Sequence, residues 1–370
     1  NAQESKQMAL DYIRGITMQG TEVFPYIIEI DNDLNYNEKF LCGLYEIEAM
    51  YNTTGKPAVD KAPDNIKKEF WKTSRYYSSS KIRWALSECK KYGNIKSYLE
   101  TLFWANNTIS MNADELYNYI LGLEKMEYSN AGGINAHYLS EILEKLQDAY
   151  EDDMDKSSEI ARIEIAFFNL LDWKKMRCFQ NEIKRNPEMY AEMVSILYRR
   201  EGELSREEQD EEQKQYISII YRLFDKVKFC PAEKSGKVDA DELGQWIEQF
   251  RTLLMRNNQF HLFGHLLGRL LAFSPIGDDG YMPCEAVRIT IEKYADAKMI
   301  SAYKTTVYNN RGIFTPSAGK EELKMANNFK ETADYLAIKY PKTAEIYYGL
   351  YQVYFSESSN ARECAENGDF

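Results

Sequence analysis

The sequence has little proline, little glycine, few histidines and no long apolar run. Nine Pro and 19 Gly interrupt 370 residues, and so few breakers predict long regular helices. No run of about 18 apolar residues is present, which argues against a membrane-spanning helix. The N-terminus lacks the charged and then apolar pattern of a signal peptide. We therefore expect a protein that does not enter a membrane.

The cysteines are too far apart to form a local metal or redox motif. No two of them make the Cys-x-x-Cys spacing of zinc and redox sites. Cys42, Cys178 and Cys284 stand among apolar neighbours, where a reduced, packed thiol is the common case. We expect a cytoplasmic protein without a cofactor.

Apolar side chains recur instead with the 3.6-residue period of a helix, as in 37–51, 114–126 and 136–150. The best strand candidate is 23–30, and Pro25 in its interior argues against a paired strand. Helix starts recur at Asn186-Pro187, Asp239 and Pro341. The pattern predicts an all-α protein, an irregular α-solenoid of stacked antiparallel helix pairs.

The glycine-rich stretch 129–133 is the best boundary between domains. It would separate an N-terminal helical block, 3–130, from a C-terminal helical-repeat block, 134–370, unless both form one continuous solenoid. The helix pair predicted at 321–339 and 341–355 resembles a tetratricopeptide unit. The rest of the chain shows no 34-residue recurrence of that unit.

The net charge of −12 is unevenly distributed. Segment 66–96 carries nine basic and two acidic residues, hence +7, and interleaves them with aromatic rings. Such a pattern is typical of a surface for anions or single-stranded nucleic acid. The same residues would equally suit a helix pair whose rings face the core and whose lysines face water. The candidate anion or nucleic-acid surface comprises Lys67, Lys68, Lys72, Arg75, Lys81, Arg83, Lys90 and Lys91.

Only His261 and His265 are spaced like a pair of metal ligands on a helix. No glutamate follows His261, and Arg269 extends the same stripe, which disfavours a cation. A polar stripe on a packed helix is the alternative that we prefer. Residues 31–42 begin like a calcium loop but place Tyr36 and Cys42 where glycine and glutamate are required. We assign no catalytic, cofactor-binding or metal-binding residue.

Four stretches after residue 172 carry a resemblance to a known group of proteins. They contain the segments NPEMYAE, GKVD, DGYMPCEAVR and YNNRGI within 186–199, 236–251, 267–288 and 308–322. In this order they resemble the helical C-terminal region of large, mostly uncharacterised multidomain bacterial proteins, loosely associated with signalling or defence NTPases. Tyr281 stands where that pattern has Trp. The resemblance implies a sensor or scaffold role, supplies no catalytic residue, and would place any NTPase upstream.

We therefore expect a non-catalytic helical-repeat module for protein interaction, sensing or scaffolding, rather than an enzyme. Its partner would be an unknown protein or other domains of the same chain, and not a membrane. The start at Asn1-Ala2-Gln3, without Met, suggests a fragment of a longer bacterial protein. One alternative is a nucleic-acid-binding module that uses 66–96. Another is an enzyme with a cryptic site near His261 and His265.

Overall fold

The computed structural model describes residues 2–18, 38–51, 57–73, 77–126, 133–203, 210–312 and 317–367. Within these ranges the chain forms helices and one hairpin of two strands, each two residues long, which confirms the predicted all-α class. The hairpin pairs β1 (Glu233–Lys234) with β2 (Lys237–Val238) in antiparallel register. The helices are α1 Ala2–Met18, α2 Glu38–Tyr51, α3 Asp64–Phe70, α4 Ile82–Tyr92, α5 Ile95–Ile109, α6 Ala113–Ile120, α7 Gly133–Ala149, α8 Met154–Ala166, α9 Arg177–Arg185, α10 Pro187–Leu197, α11 Glu211–Lys226, α12 Ala240–Arg256, α13 Phe263–Leu271, α14 Glu285–Tyr294, α15 Ala297–Asn309, α16 Lys320–Leu336 and α17 Pro341–Asn367.

The chain divides into two compact units, 1–179 and 180–370. The predicted boundary at 129–133 lies mostly outside the described residues, and the predicted blocks stay a prediction. The strand candidate 23–30, the calcium-like segment 31–36 and Arg75 also lie outside them. No helix in the described ranges has the length and apolar character needed to cross a bilayer.

Side-chain caps set the helix starts of the first unit. Asn94 accepts a hydrogen bond from the Ser97 amide at 2.9 Å and so begins α5, and Asn112 begins α6 in the same way. Helices α4 and α5 pack together, and their fully buried apolar side chains each contribute about 1.5–3 kcal/mol to stability. They include Leu86, Tyr98, Leu99 and Leu102.

A buried carboxylate caps α9. Glu164 has no exposed surface and accepts hydrogen bonds from the Phe179 amide at 2.7 Å and from Gln147 Nε2 at 2.5 Å. Burial nevertheless raises the pKa of Glu164 to about 7, because the desolvation of a charge outweighs these bonds.

Three helices of the second unit begin where the sequence predicts. Asn186 caps α10 with Pro187 at its first position, and Asp239 accepts from the Glu242 amide to begin α12. The C-terminal pair, α16 and α17, packs extensively. Helix α17 begins at Pro341 and continues to Asn367, beyond its predicted end near 355.

Two glycines let α13 and α15 approach closely. A Cβ atom on Gly268 would lie 2.3 Å from the Met299 carbonyl oxygen, and one on Gly264 would lie 2.5 Å from Asp296 Oδ1. Because both glycines lie on α13 four residues apart, they form a smooth strip against the start of α15. This contact fixes the position of the neighbouring side chains His265 and Arg269.

Candidate functional site

The loop between α13 and α14 is held by one buried arginine. Arg288 is only 2% exposed and donates two hydrogen bonds to the carboxylate of Asp279, at 2.5 and 2.9 Å. It also donates to the carbonyl oxygens of Pro283 at 2.6 Å and Tyr281 at 2.8 Å. A guanidinium has five N–H donors in a rigid fork, so this single side chain fixes the loop at three points.

The ion pair also sets the charge of the loop. Hydrogen bonding to Arg288 lowers the pKa of Asp279 to about 2, so the carboxylate stays ionised at all physiological pH values. A buried arginine without this partner would be strongly destabilising. The Gly277 amide closes the loop by donating to the Tyr281 carbonyl at 2.9 Å. The loop is therefore preorganised.

This loop forms one side of a groove of about 910 Å³, the Arg288 groove, whose other sides come from the hairpin, α14 and the end of α16. Its most accessible large apolar side chains are Ile276, Ile289 and Tyr335, which are 62%, 51% and 52% exposed. The ring of Tyr335 stacks on Tyr281 at a centroid distance of 4.1 Å. Exposed apolar groups gathered in one concave surface indicate a site of interaction.

The charged side chains of the Arg288 groove are paired with one another. Lys339 Nζ lies 2.7 Å from Glu285 Oε1, and Lys237 Nζ lies 3.6 Å from Asp278 Oδ1. Hydrogen bonding to Glu285 raises the pKa of Lys339. With Arg288 paired to Asp279, the groove has three positive and three negative side chains. The charges of its described lining residues therefore cancel.

The aromatic residues of segment 66–96 lie mostly in the core of the first unit. Phe70 and Trp71 are fully buried and Tyr77 is 4% exposed, while Trp84 is half-buried and donates to Asp60 Oδ1. Tyr76 lies outside the described residues. Buried rings cannot stack on bases, so these side chains match the alternative in which the aromatic residues face the core.

Several basic residues of the segment are buried or paired. Lys81 is buried, and burial lowers its pKa. Arg83 pairs with Glu115 at 2.7 Å, and Lys90 donates to the Leu121 carbonyl at 2.6 Å near the end of α6. Lys72 lies 2.6 Å from Glu69.

Two lysines of the segment lie close to the ring of Tyr92. The ammonium groups of Lys67 and Lys91 lie 5.2 and 4.7 Å from the centre of its ring, and Lys68 is exposed on the same helix as Lys67. We call Lys67, Lys68 and Lys91 the Tyr92 lysines. Arg75 lies outside the described residues, and both the candidate surface of eight basic residues and nucleic-acid binding stay predictions.

The spacing of His261 and His265 predicts that both lie on one α-helix, but they do not. His261 lies in the 3₁₀ turn Phe260–Leu262, and α13 begins only at Phe263. His265 lies on α13. Partial desolvation of its ring, followed by the nearby Arg269 and Lys298, lowers the pKa of His265. In the described ranges no group of three or more His, Cys, Asp or Glu side chains is placed to hold a metal ion.

The segments that carry the resemblance have structural roles in the second unit. DGYMPCEAVR forms the loop held by Arg288, with a cis peptide bond between Met282 and Pro283. Arg311 of YNNRGI pairs with Glu357 of α17 at 2.5 Å.

The Arg288 groove is not among the sites that the sequence predicts. The available signal was an aspartate and an arginine flanking a proline helix start. Comparison with protein-family models, curated proteins and solved structures finds no match.

Proposed function

We propose that the chain is a helical interaction module whose Arg288 groove binds a short apolar segment of a protein partner. The observation that carries this proposal is the gathering of Ile276, Ile289 and Tyr335 around one groove, one side of which Arg288 holds rigid. A rigid wall has less conformational freedom to lose on binding, which favours affinity. In line with the sequence, we infer a non-catalytic role in the cytoplasm.

The occupant follows from the charges of the groove. Because each charged side chain there has an opposite partner, a strongly charged ligand would gain little attraction and would disturb three ion pairs. An apolar segment can cover the three exposed side chains and leave the pairs intact at the rim, where such pairs contribute little to affinity. This disfavours nucleic acid as the ligand of this groove.

The test uses peptides selected from a random library against the full chain. Binding of each selected peptide is then measured by fluorescence anisotropy with the wild type and with Ile289→Asp. We expect at least about tenfold weaker binding by this variant, since a charge would enter an apolar contact.

Ile338→Asp is the matched control. Ile338 is 97% exposed and follows Tyr335 closely in sequence but does not line the groove, so the same substitution there should leave affinity unchanged. Peptides that bind all three proteins equally, or a selection that yields no binders, would contradict the proposal.

A further inference from the structure

A second cleft lies in the same unit, where α11, α13 and α15 meet. Its volume is about 400 Å³, at the lower end of the range for small-molecule sites. Its aromatic lining includes Tyr198, Tyr221 and Phe273. Tyr221 is 64% exposed, and Tyr198 meets the buried ring of Phe224 edge to face at 5.8 Å. We call this the Arg269 cleft.

The cleft also carries an excess of positive charge. Arg269 and Lys228 line it together with His265 and, among the described residues, a single carboxylate, Asp225. The guanidinium of Arg269 lies 4.2 Å from the centre of the Phe224 ring, and its Nη2 donates to the Phe224 carbonyl at 2.7 Å. This bond holds the side chain in place and uses one of its five N–H donors.

Neutral donors complete the site. Ser301, Thr305 and Asn309 follow one another at four-residue intervals on α15 and all line the cleft. Because Gly264 and Gly268 bring α13 against α15, this row of polar groups lies opposite His265 and Arg269. Hydroxyl and amide groups beside a guanidinium are donors suited to a phosphate or carboxylate.

We propose that the Arg269 cleft binds a small anion bearing a planar ring, the chemistry of a nucleoside monophosphate. The ring would pack on the accessible rings of Tyr221 and Tyr198, and the anionic group would meet Arg269 and Lys228. Stacking and charge recognition are the two contacts that such ligands require. The site is separate from the Arg288 groove and would add ligand sensing to the proposed interaction role.

The probes are AMP, adenosine and inorganic phosphate, each titrated into the full chain by calorimetry. We expect AMP to bind more tightly than either fragment and to weaken as salt is raised. Equal binding of adenosine and AMP would exclude recognition of the anion, and equal binding of phosphate and AMP would exclude recognition of the ring. No binding of AMP would overturn the proposal.

Variants locate the site. Arg269→Gln should weaken AMP binding at least about tenfold. Since Arg269 also supports α11, a milder variant is needed: Lys228→Gln should weaken binding a few-fold, whereas Lys226→Gln, the same charge change outside the cleft, should not. Equal effects of the two lysine variants would place AMP elsewhere.

A nuclear magnetic resonance titration gives an independent readout, since the chain has only three histidines. A bound anion should raise the pKa of His265 by offsetting the field of Arg269 and Lys298. An unchanged His265 in the presence of saturating AMP would contradict the assigned location.

Discussion

Replacing Gly268 by alanine tests the close contact of α13 and α15. The added methyl group would lie 2.3 Å from the Met299 carbonyl oxygen, whereas ordinary contacts begin at 3.4 Å, so the two helices must separate by about 1 Å. Both helices are held by packing on either side, and overpacking of this kind lowers the free energy of unfolding by about 1–3 kcal/mol. The better helix propensity of alanine returns about 1 kcal/mol of this at most.

Gly244→Ala supplies the matched control. Gly244 lies within α12 and a Cβ atom there would meet nothing within 4 Å, so this variant gains helix propensity without a clash and should be stabilised by about 0.5–1 kcal/mol. Urea unfolding followed by far-ultraviolet circular dichroism measures both. We expect the midpoints to shift in opposite directions. If Gly268→Ala were as stable as Gly244→Ala, the helix contact described above would be wrong.

Three further predictions concern the ion pair, the buried carboxylate and the lysines. Arg288→Met should lower the free energy of unfolding by about 3 kcal/mol or more, because Asp279 loses its partner. Arg251→Met, which removes an exposed pair with Glu248, should cost less than about 1 kcal/mol. Equal losses of stability in thermal unfolding would refute this prediction. The pKa of Glu164 is raised from 4.5 to about 7 in the folded state, so the free energy of unfolding should fall by about 3 kcal/mol as the pH rises through this window. Urea unfolding at the low and the high end of this pH window should show the fall for the wild type and not for Glu164→Gln. A wild type whose stability is the same at both pH values would contradict the assignment. Charge reversal of the Tyr92 lysines should abolish any binding of single-stranded nucleic acid at low salt, and unchanged binding in a filter assay would remove this surface as its site.

The sequence was sufficient for features that depend on neighbours along the chain. The caps at Asn186 and Asp239 and the helix start at Pro341 were predictable because each depends on a local hydrogen bond or a fixed φ angle. Cys178 and Cys284 are buried as their apolar neighbours predict. The hairpin at 233–238 was not anticipated, although Gly236, with φ of +79°, marks its turn.

The features that the sequence did not reveal depend on distant packing. The rings of 66–96 fit a core or a binding surface equally well, and only burial of Trp71 and Tyr77 distinguishes these. The Arg288 groove combines the hairpin, α14 and α16, which are separated by many residues. His261 illustrates the same limit, because a four-residue spacing does not reveal that the helix begins only at Phe263.

Hydrogen exchange measured with and without a selected peptide tests the groove most directly. Amide protection reports which backbone segments a ligand covers or stabilises. We predict that exchange slows in 276–289 and 335–340, including the Gly277 amide, and stays unchanged in 66–96. Protection confined to 66–96, or to any region without 276–289, would contradict the Arg288 groove as the binding site.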